Sequence, residues 1–267
     1  MEINRSNIKE FVEKCNAKPD KDYGQNFLVE PLICEKIVDL LSQTKNPVLE
    51  IGPGLGSLTH FLYKKFSDLT IVDIDERMIA FLNLFYKENG VSLIKNDIRN
   101  VDLTKYDSII GNLPYNITKE ILVYCFSTAL KCNEFVFMIQ KEAASHIFST
   151  SGKDYGPLSI FAHLIGDLKK ELQVKAGCFY PVPKCDSVVF SLKVKILETE
   201  RSTALETYNF AKKCFLNRRK TLYNNLLSAK FDKDKILASF NKLNLKLTTR
   251  PEEVSYSLYT NLMQLLK

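Results

Sequence analysis

The feature that most constrains this 267-residue chain is a glycine-rich turn between an apolar segment and an amphipathic one. Residues Val48–Ile51 are a short apolar run typical of a buried parallel strand. Gly52, Gly54 and Gly56 follow with the spacing G-x-G-x-G, and an apolar helical face begins at Leu58. Strand, glycine turn and helix form the first unit of a nucleotide-binding sheet, so the sequence predicts an α/β fold.

The glycine spacing also indicates which ligand the turn binds. The dinucleotide fingerprint is G-x-G-x-x-G, which keeps the helix N-terminus for a pyrophosphate. Here the third glycine comes one residue earlier, and Glu50 precedes the turn. A carboxylate at this place suits a ligand that carries an amine and a sulfonium, such as S-adenosylmethionine. The alternative is an ordinary glycine turn in an α/β protein.

Composition excludes several classes of protein. The chain is 45% hydrophobic and 25% charged, which is typical of a globular protein, and its net charge of +6 is compatible with a polyanionic partner. We find no apolar run long enough to span a membrane and no signal-peptide core, so we expect a cytoplasmic protein whose seven cysteines are free thiols. The three histidines lack metal-ligand spacing, so we expect no metal site.

Carboxylates follow the next two predicted strands. Residues 69–72 lead into Asp73 and Asp75, and either of these could bind the ribose hydroxyls of a nucleoside, but not both, because they face opposite sides of the strand. Asp97 lies just beyond the strand predicted at residues 91–94. It is placed either to accept a hydrogen bond from an adenine amino group or to cap a helix.

A polar and aromatic turn, Gly111–Tyr115, follows the strand predicted at residues 107–110. Pro114 stiffens the backbone, so that the side-chain oxygen of Asn112 and the carbonyl of Leu113 could accept both hydrogens of an exocyclic amine. Tyr115 could stack on the ring that bears this amine. The alternative is a turn with a packed tyrosine.

Two other segments have a functional and a structural interpretation. Residues 23–28, which include Asn26 and Leu28, could contact the ligand or could cap a helix that begins near Pro31. Phe179 begins a stiff run of aromatic residues and prolines, and it could be the second face of an aromatic clamp or a core side chain.

The pattern changes to helices alone near the C-terminus. Residues 206–216, 217–229, 232–243 and 255–266 have apolar positions at helical spacing. We therefore predict two domains, at residues 1–198 and 199–267, with a small all-helical second domain. Its densest basic run, Asn217–Lys220, could contact a phosphate backbone or could be a solvated helical face.

Four motifs resemble those of the ribosomal RNA adenine N6-dimethyltransferases, and they occur along the chain in the same order as in that family. They are Gly24–Leu28, Glu50–Thr59, Asn112–Tyr115 and Phe179–Ser187. The resemblance implies a Rossmann-like class I methyltransferase sheet that uses S-adenosylmethionine. Three segments are similar to the KsgA type rather than the Erm type, which modifies one adenosine of large-subunit rRNA: Tyr155–Ser159, Pro183–Ser187 and Arg218–Leu226.

The KsgA type modifies N6 of two adjacent adenosines in the 3′-terminal hairpin loop of small-subunit (16S) rRNA during ribosome biogenesis. The resemblance thus implies small-subunit rRNA or an immature 30S subunit as partner, with the basic C-terminal helices on the phosphate backbone, and a monomer suffices.

The resemblance also implies roles for individual residues. The donor would be bound by Asn26, Leu28, Gly52, Asp73, Asp97 and Asn112. The target adenine would be held by Asn112, Leu113, Tyr115 and Phe179. Two positions depart from the family pattern, because Asp73 stands where Glu is usual and Cys185 where Val is usual. The shorter Asp73 implies a looser or water-bridged ribose contact.

Three alternatives belong to other classes. A non-catalytic ribosome-assembly factor would not need an intact Asn112–Tyr115 turn. A nicotinamide oxidoreductase is disfavoured by the glycine spacing. A DNA adenine methyltransferase would share the chemistry of the turn, but the helical C-terminus and the Phe179 segment favour rRNA.

Overall fold

The apolar segments around the glycine turn form one mostly parallel sheet in the computed structural model, which describes residues 2–15, 25–42 and 47–267. The strands are β1 (Phe27–Leu28), β2 (Val48–Ile51), β3 (Leu69–Asp73), β4 (Ser92–Lys95), β5 (Ser108–Asn112), β6 (Glu134–Gln140), β7 (Gly166–Val174), β8 (Phe179–Tyr180) and β9 (Ser187–Val194). The helices are α1 (Ile8–Lys14), α2 (Pro31–Val38), α3 (Thr59–Lys65), α4 (Glu76–Tyr86), α5 (Thr118–Thr128), α6 (Lys141–Phe148), α7 (Pro157–Ile165), α8 (Glu198–Cys214), α9 (Leu222–Ser228), α10 (Lys233–Lys242) and α11 (Tyr256–Leu266).

The large sheet has the strand order β4-β3-β2-β5-β6-β9-β7. Strands β2 to β6 pair in parallel, and β9 is antiparallel to β6. The inner strand β2 is buried at all four positions, as expected for a strand covered on both faces. Because β2 to β6 run in one direction, their carboxyl ends meet at one edge, where open α/β sheets bind ligands.

A second, two-stranded sheet lies outside the sequence prediction. Strands β1 and β8 pair antiparallel, with Phe27 opposite Tyr180 and Leu28 opposite Phe179. Within the segment that begins at Gln25, Phe27 and Leu28 therefore form a short strand that precedes α2. Pro31 is the first residue of that helix, as predicted. Tyr23 and Gly24 of the predicted motif lie outside the described residues.

The chain divides by its contacts into two compact units. The first comprises Met1–Lys141 with Lys169–Val194, and the second comprises Glu142–Leu168 with Lys195–Lys267. Residues 142–168 belong with the C-terminal helices because Tyr155 and Ile160 share one apolar cluster with C-terminal residues such as Leu222 and Tyr259. A single boundary after residue 198 does not capture this arrangement.

The helices of the second unit differ slightly from the predicted ranges. Helix α8 starts at Glu198, eight residues before the predicted start at residue 206 (206 − 198). Its first turn is polar, and the Glu200 side chain accepts a hydrogen bond from the Leu197 backbone N–H at 2.7 Å. This cap stabilises a helical turn that lacks the apolar periodicity used for prediction.

None of the seven cysteines, all of which lie in the described ranges, forms a disulfide. Cys34, Cys125, Cys132 and Cys214 are buried, whereas Cys15, Cys178 and Cys185 are partly exposed. Burial raises the pKa of the Cys15 thiol to about 12. Across residues 2–15, 25–42 and 47–267, no helix is long and apolar enough to cross a membrane.

A substitution at Gly111 can test how closely the backbones of β2 and β5 are packed. A Cβ atom added at this position would lie 2.5 Å from the Ile51 carbonyl oxygen, and this neighbour is backbone that cannot rotate away. Overpacking of this kind costs about 1–3 kcal/mol. We expect Gly111→Ala to lower the free energy of unfolding by that amount, measured by urea denaturation.

The matched control for this prediction is Gly177→Ala, because a Cβ at Gly177 would meet nothing within 4 Å. We expect this variant to unfold within about 0.5 kcal/mol of the wild type. Equal stability of the two variants would contradict the close β2–β5 contact.

Candidate active site

A cleft opens at the carboxyl ends of β2, β3 and β5, where the sequence predicts the ligand. Its volume is about 1160 Å³, including open solvent at its mouth. Of the nine residues predicted for the site, eight line this cleft: Asn26, Leu28, Gly52, Asp73, Asp97, Asn112, Leu113 and Tyr115. Phe179 is not among the lining residues.

Gly52 provides a bare stretch of main chain at the base of the cleft. Its φ of +64° is in the left-handed region, which a residue with a side chain rarely adopts. A Cβ at this position would still have room, since the nearest atom would be the Asn112 carbonyl oxygen at 3.7 Å. The conformation therefore requires glycine here, and the space above it remains available to a ligand.

Glu50 lies beneath the glycine turn and is only 1% exposed. Its carboxyl group accepts a hydrogen bond from Thr59 Oγ1 at 2.6 Å, and burial raises its pKa to about 8. In the free cleft at neutral pH this group is therefore mostly protonated. A cation bound nearby would favour the ionised form.

Asp73 and Asp75 have separate roles, which the sequence left open. Asp73 lines the cleft, and its carboxylate accepts hydrogen bonds from the backbone N–H of Asp75 at 2.9 Å and of Gly54 at 3.4 Å. Burial raises the pKa of Asp73 to about 6. Asp75 is not a lining residue; it caps α4 and binds the side chains of Arg77 and Gln25. Of the two, Asp73 is the candidate for binding ribose.

Asp97 lines the cleft and also caps the short 3₁₀ helix Ile98–Asn100, so both of its predicted roles are compatible with the structure. Arg99 binds its carboxylate through Nη2 at 2.5 Å and through the backbone N–H at 2.9 Å. The hydrogen bond from the Arg99 side chain holds the pKa of Asp97 below its usual range. An ionised carboxylate has about four lone-pair positions, so it can still accept a hydrogen bond from an amino group. Arg99 was not among the residues predicted for the site from the sequence.

The nitrogen and the oxygen of the Asn112 side-chain amide differ in their hydrogen bonding. Its Nδ2 atom donates to the Asn26 carbonyl oxygen at 3.1 Å, which fixes the orientation of the amide. Its Oδ1 atom is buried and has no hydrogen-bond partner among the described residues. A buried acceptor without a partner costs about 1–3 kcal/mol. An amine that entered the cleft and donated to this oxygen would remove that cost.

The neighbours of Asn112 are held by the strands behind them. The Leu113 N–H donates to the Met138 carbonyl oxygen of β6 at 3.0 Å, which fixes the backbone of the turn. The Tyr115 hydroxyl is hydrogen-bonded to Ser187 Oγ of β9 at 3.0 Å, and burial raises its pKa. The sequence motif includes Ser187, but its contact with Tyr115 joins residues 72 positions apart (187 − 115) and could not be derived from local pattern.

Phe179 lies in the core rather than at the cleft surface. It is 2% exposed, belongs to the main apolar cluster and stands opposite Leu28 in the β1–β8 pair. In this structure its ring offers no open face to a base. Phe179 is therefore a core side chain in this structure, which was the second of the two interpretations of its sequence context. The β1–β8 pairing covers its ring.

The raised pKa of Glu50 predicts how stability depends on pH. The unfolded carboxyl group ionises near pH 4.5, whereas the folded one ionises near pH 8. The folded state therefore binds more protons between these values, and stability is lost as the pH rises through this window. We expect the ligand-free protein to lose a few kcal/mol between pH 5 and 8.5 that Glu50→Gln does not lose.

Urea denaturation at several pH values measures this difference. Gln at position 50 can still accept the hydrogen bond from Thr59 but does not titrate, so Glu50→Gln is the matched variant. If the free energies of unfolding of the two proteins changed with pH in the same way, folding would not raise the pKa of Glu50.

Comparison with known proteins identifies the family. The family profile described as ribosomal RNA adenine dimethylase matches residues 16–267. A ribosomal RNA small subunit methyltransferase A from Mycoplasma mycoides subsp. mycoides is 36% identical over 260 residues, covering 93% of this chain and 98% of the relative.

Two solved structures are similar in fold. A dimethyladenosine transferase from Plasmodium falciparum has a TM-score of 0.76 at 26% identity, covering 88% of this chain and 95% of the other. The 23S rRNA methyltransferase ErmE has a TM-score of 0.68 at 21% identity, covering 90% and 99%. These likenesses confirm the predicted Rossmann-like class I methyltransferase sheet with a helical C-terminal region. The chain belongs to the ribosomal RNA adenine dimethylase family.

Proposed function

We propose that this protein transfers methyl groups from S-adenosylmethionine to N6 of two adjacent adenosines in the 3′-terminal hairpin loop of small-subunit rRNA. The observation that carries the proposal is the buried Oδ1 atom of Asn112, which has no hydrogen-bond partner within the part of the chain that the structure describes. It lies at the lip of a cleft built on Gly52 and Asp73. The names of relatives at about 36% identity over nearly their whole length support the small subunit as target. Ribosome maturation would take place in the cytoplasm. The protein would act as a monomer, which agrees with a cleft lined by residues of a single chain.

The residues of the cleft fit S-adenosylmethionine, which supplies a methyl group on a sulfonium centre. Gly52 would lie against its methionine end together with Asn26 and Leu28. Asp73 would accept hydrogen bonds from its ribose and Asp97 from its adenine. The excess of carboxylates over basic groups suits a cationic donor, and Glu50 would ionise in its presence. Within the described residues no group of His, Cys, Asp and Glu is arranged to hold a metal ion.

Asn112 and Leu113 would act on the amine of the target. The lone pair of adenine N6 is conjugated with the ring, so the amine is a poor nucleophile until its nitrogen becomes more tetrahedral. Hydrogen bonds from N6 to Asn112 Oδ1 and to the Leu113 carbonyl would favour that geometry and would align the nitrogen with the methyl group. One C–N bond forms as one C–S bond breaks, and the nitrogen then releases a proton to solvent.

Tyr115 would hold the target base in the cleft. Removing an adenine from its stack costs a few kcal/mol, and stacking on an aromatic ring returns roughly 1–3 kcal/mol. The hydrogen bond to Ser187 holds the tyrosine ring at a fixed angle. Phe179 would have to leave the core before it could stack on the other face, so we assign the stacking role to Tyr115 alone.

The basic run Asn217–Lys220 would bind the phosphate backbone. It lies in the turn between α8 and α9 rather than on a helix, and its residues are not equivalent. Arg218 donates from Nη1 to the Lys153 carbonyl and from Nη2 to the Tyr155 carbonyl, both at 2.8 Å, and its guanidinium lies over the Phe215 ring. These contacts are internal to the second unit. Both arginines are exposed, but the guanidinium of Arg218 is held by these contacts, so Arg219 is the better candidate for a phosphate contact.

Methyl transfer to ribosomal subunits tests the proposed function. We expect the purified protein to transfer labelled methyl groups from S-adenosylmethionine to unmodified small subunits, giving N6,N6-dimethyladenosine near the 3′ end of the rRNA. We expect Asn112→Ala to abolish this transfer while it leaves donor binding within a few-fold, because the truncated side chain cannot accept from N6. Calorimetric titration with the donor measures the second quantity.

Other outcomes of this experiment would indicate a different function for the protein. Label in large subunits alone would indicate an enzyme of the Erm type. Tight binding to small subunits without label would indicate a non-catalytic assembly factor. Loss of donor binding in Asn112→Ala would contradict the role given to that side chain.

We expect substitutions of the two neighbouring arginines to have different effects, one on rRNA binding and the other on stability. We expect Arg219→Ala to weaken rRNA binding and to reduce the slope of log K against log salt by about one, because one phosphate contact is lost. We expect Arg218→Ala to lower the unfolding temperature instead, because two hydrogen bonds to carbonyl groups disappear. Filter binding at several salt concentrations and thermal denaturation separate these effects. The assignment is wrong if Arg219→Ala destabilises the fold while Arg218→Ala alone changes the salt slope.

A further inference from the structure

Asp75 and Gln25 contact each other at the edge of the cleft, and the function proposed above gives neither of them a role. The Asp75 carboxylate is 5% exposed and accepts a hydrogen bond from Gln25 Nε2 at 2.9 Å. It also receives the backbone N–H and the guanidinium of Arg77 and caps α4. Burial opposes ionisation, but the hydrogen bonds from Arg77 and Gln25 hold the pKa of Asp75 below its usual value. Asp75 is therefore a fixed, ionised anchor at the end of β3.

Gln25 directly precedes the residue whose carbonyl contacts the candidate catalytic amide. The residue after Gln25 is Asn26, whose carbonyl oxygen accepts the hydrogen bond from Asn112 Nδ2 at 3.1 Å. The following two residues, Phe27 and Leu28, are held in the β1–β8 pair. The Asn26 carbonyl thus lies on a short segment that is fixed on one side by Gln25 and on the other by strand pairing.

The orientation of the Asn112 amide depends on this carbonyl. With Nδ2 donating to Asn26, Oδ1 is the atom without a partner and is available to an amine. If the carbonyl moved away, the amide could rotate by 180° and present its N–H groups instead. Two N–H donors facing the N–H of an exocyclic amine would repel it, so the rotated amide could not assist methyl transfer.

We propose that Gln25 and Asp75 are positioning residues for methyl transfer: they hold the Asn26 carbonyl where it keeps the Oδ1 atom of Asn112 facing the target amine. The proposal rests on the proposed function for its effect on turnover, but its structural part holds for the ligand-free protein. It also gives Asp75 a role distinct from the ribose contact of Asp73.

Gln25→Leu tests this proposal, since leucine has a similar size and no hydrogen-bond donor. We expect kcat to fall about tenfold, the consequence of losing one hydrogen bond to a charged group. We expect the dissociation constant of S-adenosylmethionine to change by less than about threefold. In the ligand-free protein, we expect the side-chain NH₂ resonances of Asn112 to shift and their hydrogen exchange to accelerate, because the bond to Asn26 is weakened.

Variants of Asp75 and Arg77 provide matched controls. Asp75→Leu removes the acceptor for Gln25 and should reproduce the loss of kcat. Asp75→Asn keeps an acceptor and a helix cap, so it should recover most of that loss. Arg77→Leu removes the guanidinium from Asp75 but keeps the backbone N–H of residue 77 and the contact with Gln25. It should leave kcat within about twofold while it lowers thermal stability.

Three results would overturn the proposal. Gln25→Leu with a normal kcat and weakened donor binding would make Gln25 a donor contact. An unchanged Asn112 NH₂ signal in that variant would mean that the amide is held by other groups. A loss of kcat in Arg77→Leu equal to that in Gln25→Leu would indicate a general effect of the α4 cap. If the wild type transferred no methyl group, the proposed function would fail, while the NMR comparison would still decide the positioning of Asn112.

Discussion

The parallel pairing of β2 with β5 brings the glycine turn after Ile51 next to the Asn112–Tyr115 turn. Ile51 stands opposite Gly111 in the register, so the next residues along the two strands, Gly52 and Asn112, leave the sheet side by side. The close approach of the two backbones at Gly111 leaves no space for a side chain between them. Since both strands end at the same edge, a ligand lying against Gly52 also lies beside the Asn112 amide. The chemistry of the cleft thus depends on a contact between two strands.

The four carboxylates in and beside the cleft differ in charge because their surroundings differ. Glu50 and Asp73 are buried with few donors, and their pKa values are raised to about 8 and about 6. Asp75 and Asp97 each receive an arginine side chain, and their pKa values are lowered. The free cleft is therefore less negative than a count of acidic residues suggests, and it can gain negative charge when a cation enters.

The sequence predicted those parts of the site that follow from local order along the chain. The ends of β2, β3 and β5 could be recognised from apolar runs, so the positions of Gly52, Asp73 and Asn112 followed from the rule for parallel sheets. The choice between Asp73 and Asp75 required the structure, because it depends on which carboxylate Arg77 binds.

Non-local pairing explains what the sequence could not predict. The burial of Phe179 results from pairing with Leu28, about 150 residues earlier, and no local pattern encodes that contact. The internal role of Arg218 depends on carbonyl groups in the Lys153–Tyr155 loop, which lies in a separate part of the chain. For the same reason, residues 142–168 group with the C-terminal helices, which a boundary drawn along the sequence cannot represent.

The distribution of the thiols has a practical consequence. Four of the seven cysteines are buried, and burial raises the pKa of Cys15, which makes its thiolate scarce at neutral pH. Cys178 and Cys185 are partly exposed and stand on either side of Phe179, Tyr180 and the prolines that follow. A thiol-reactive fluorophore or spin label would therefore attach preferentially at the two ends of this segment. The native chain thus carries its own pair of reporter positions for watching β8 and the following loop while RNA binds, without introduced cysteines.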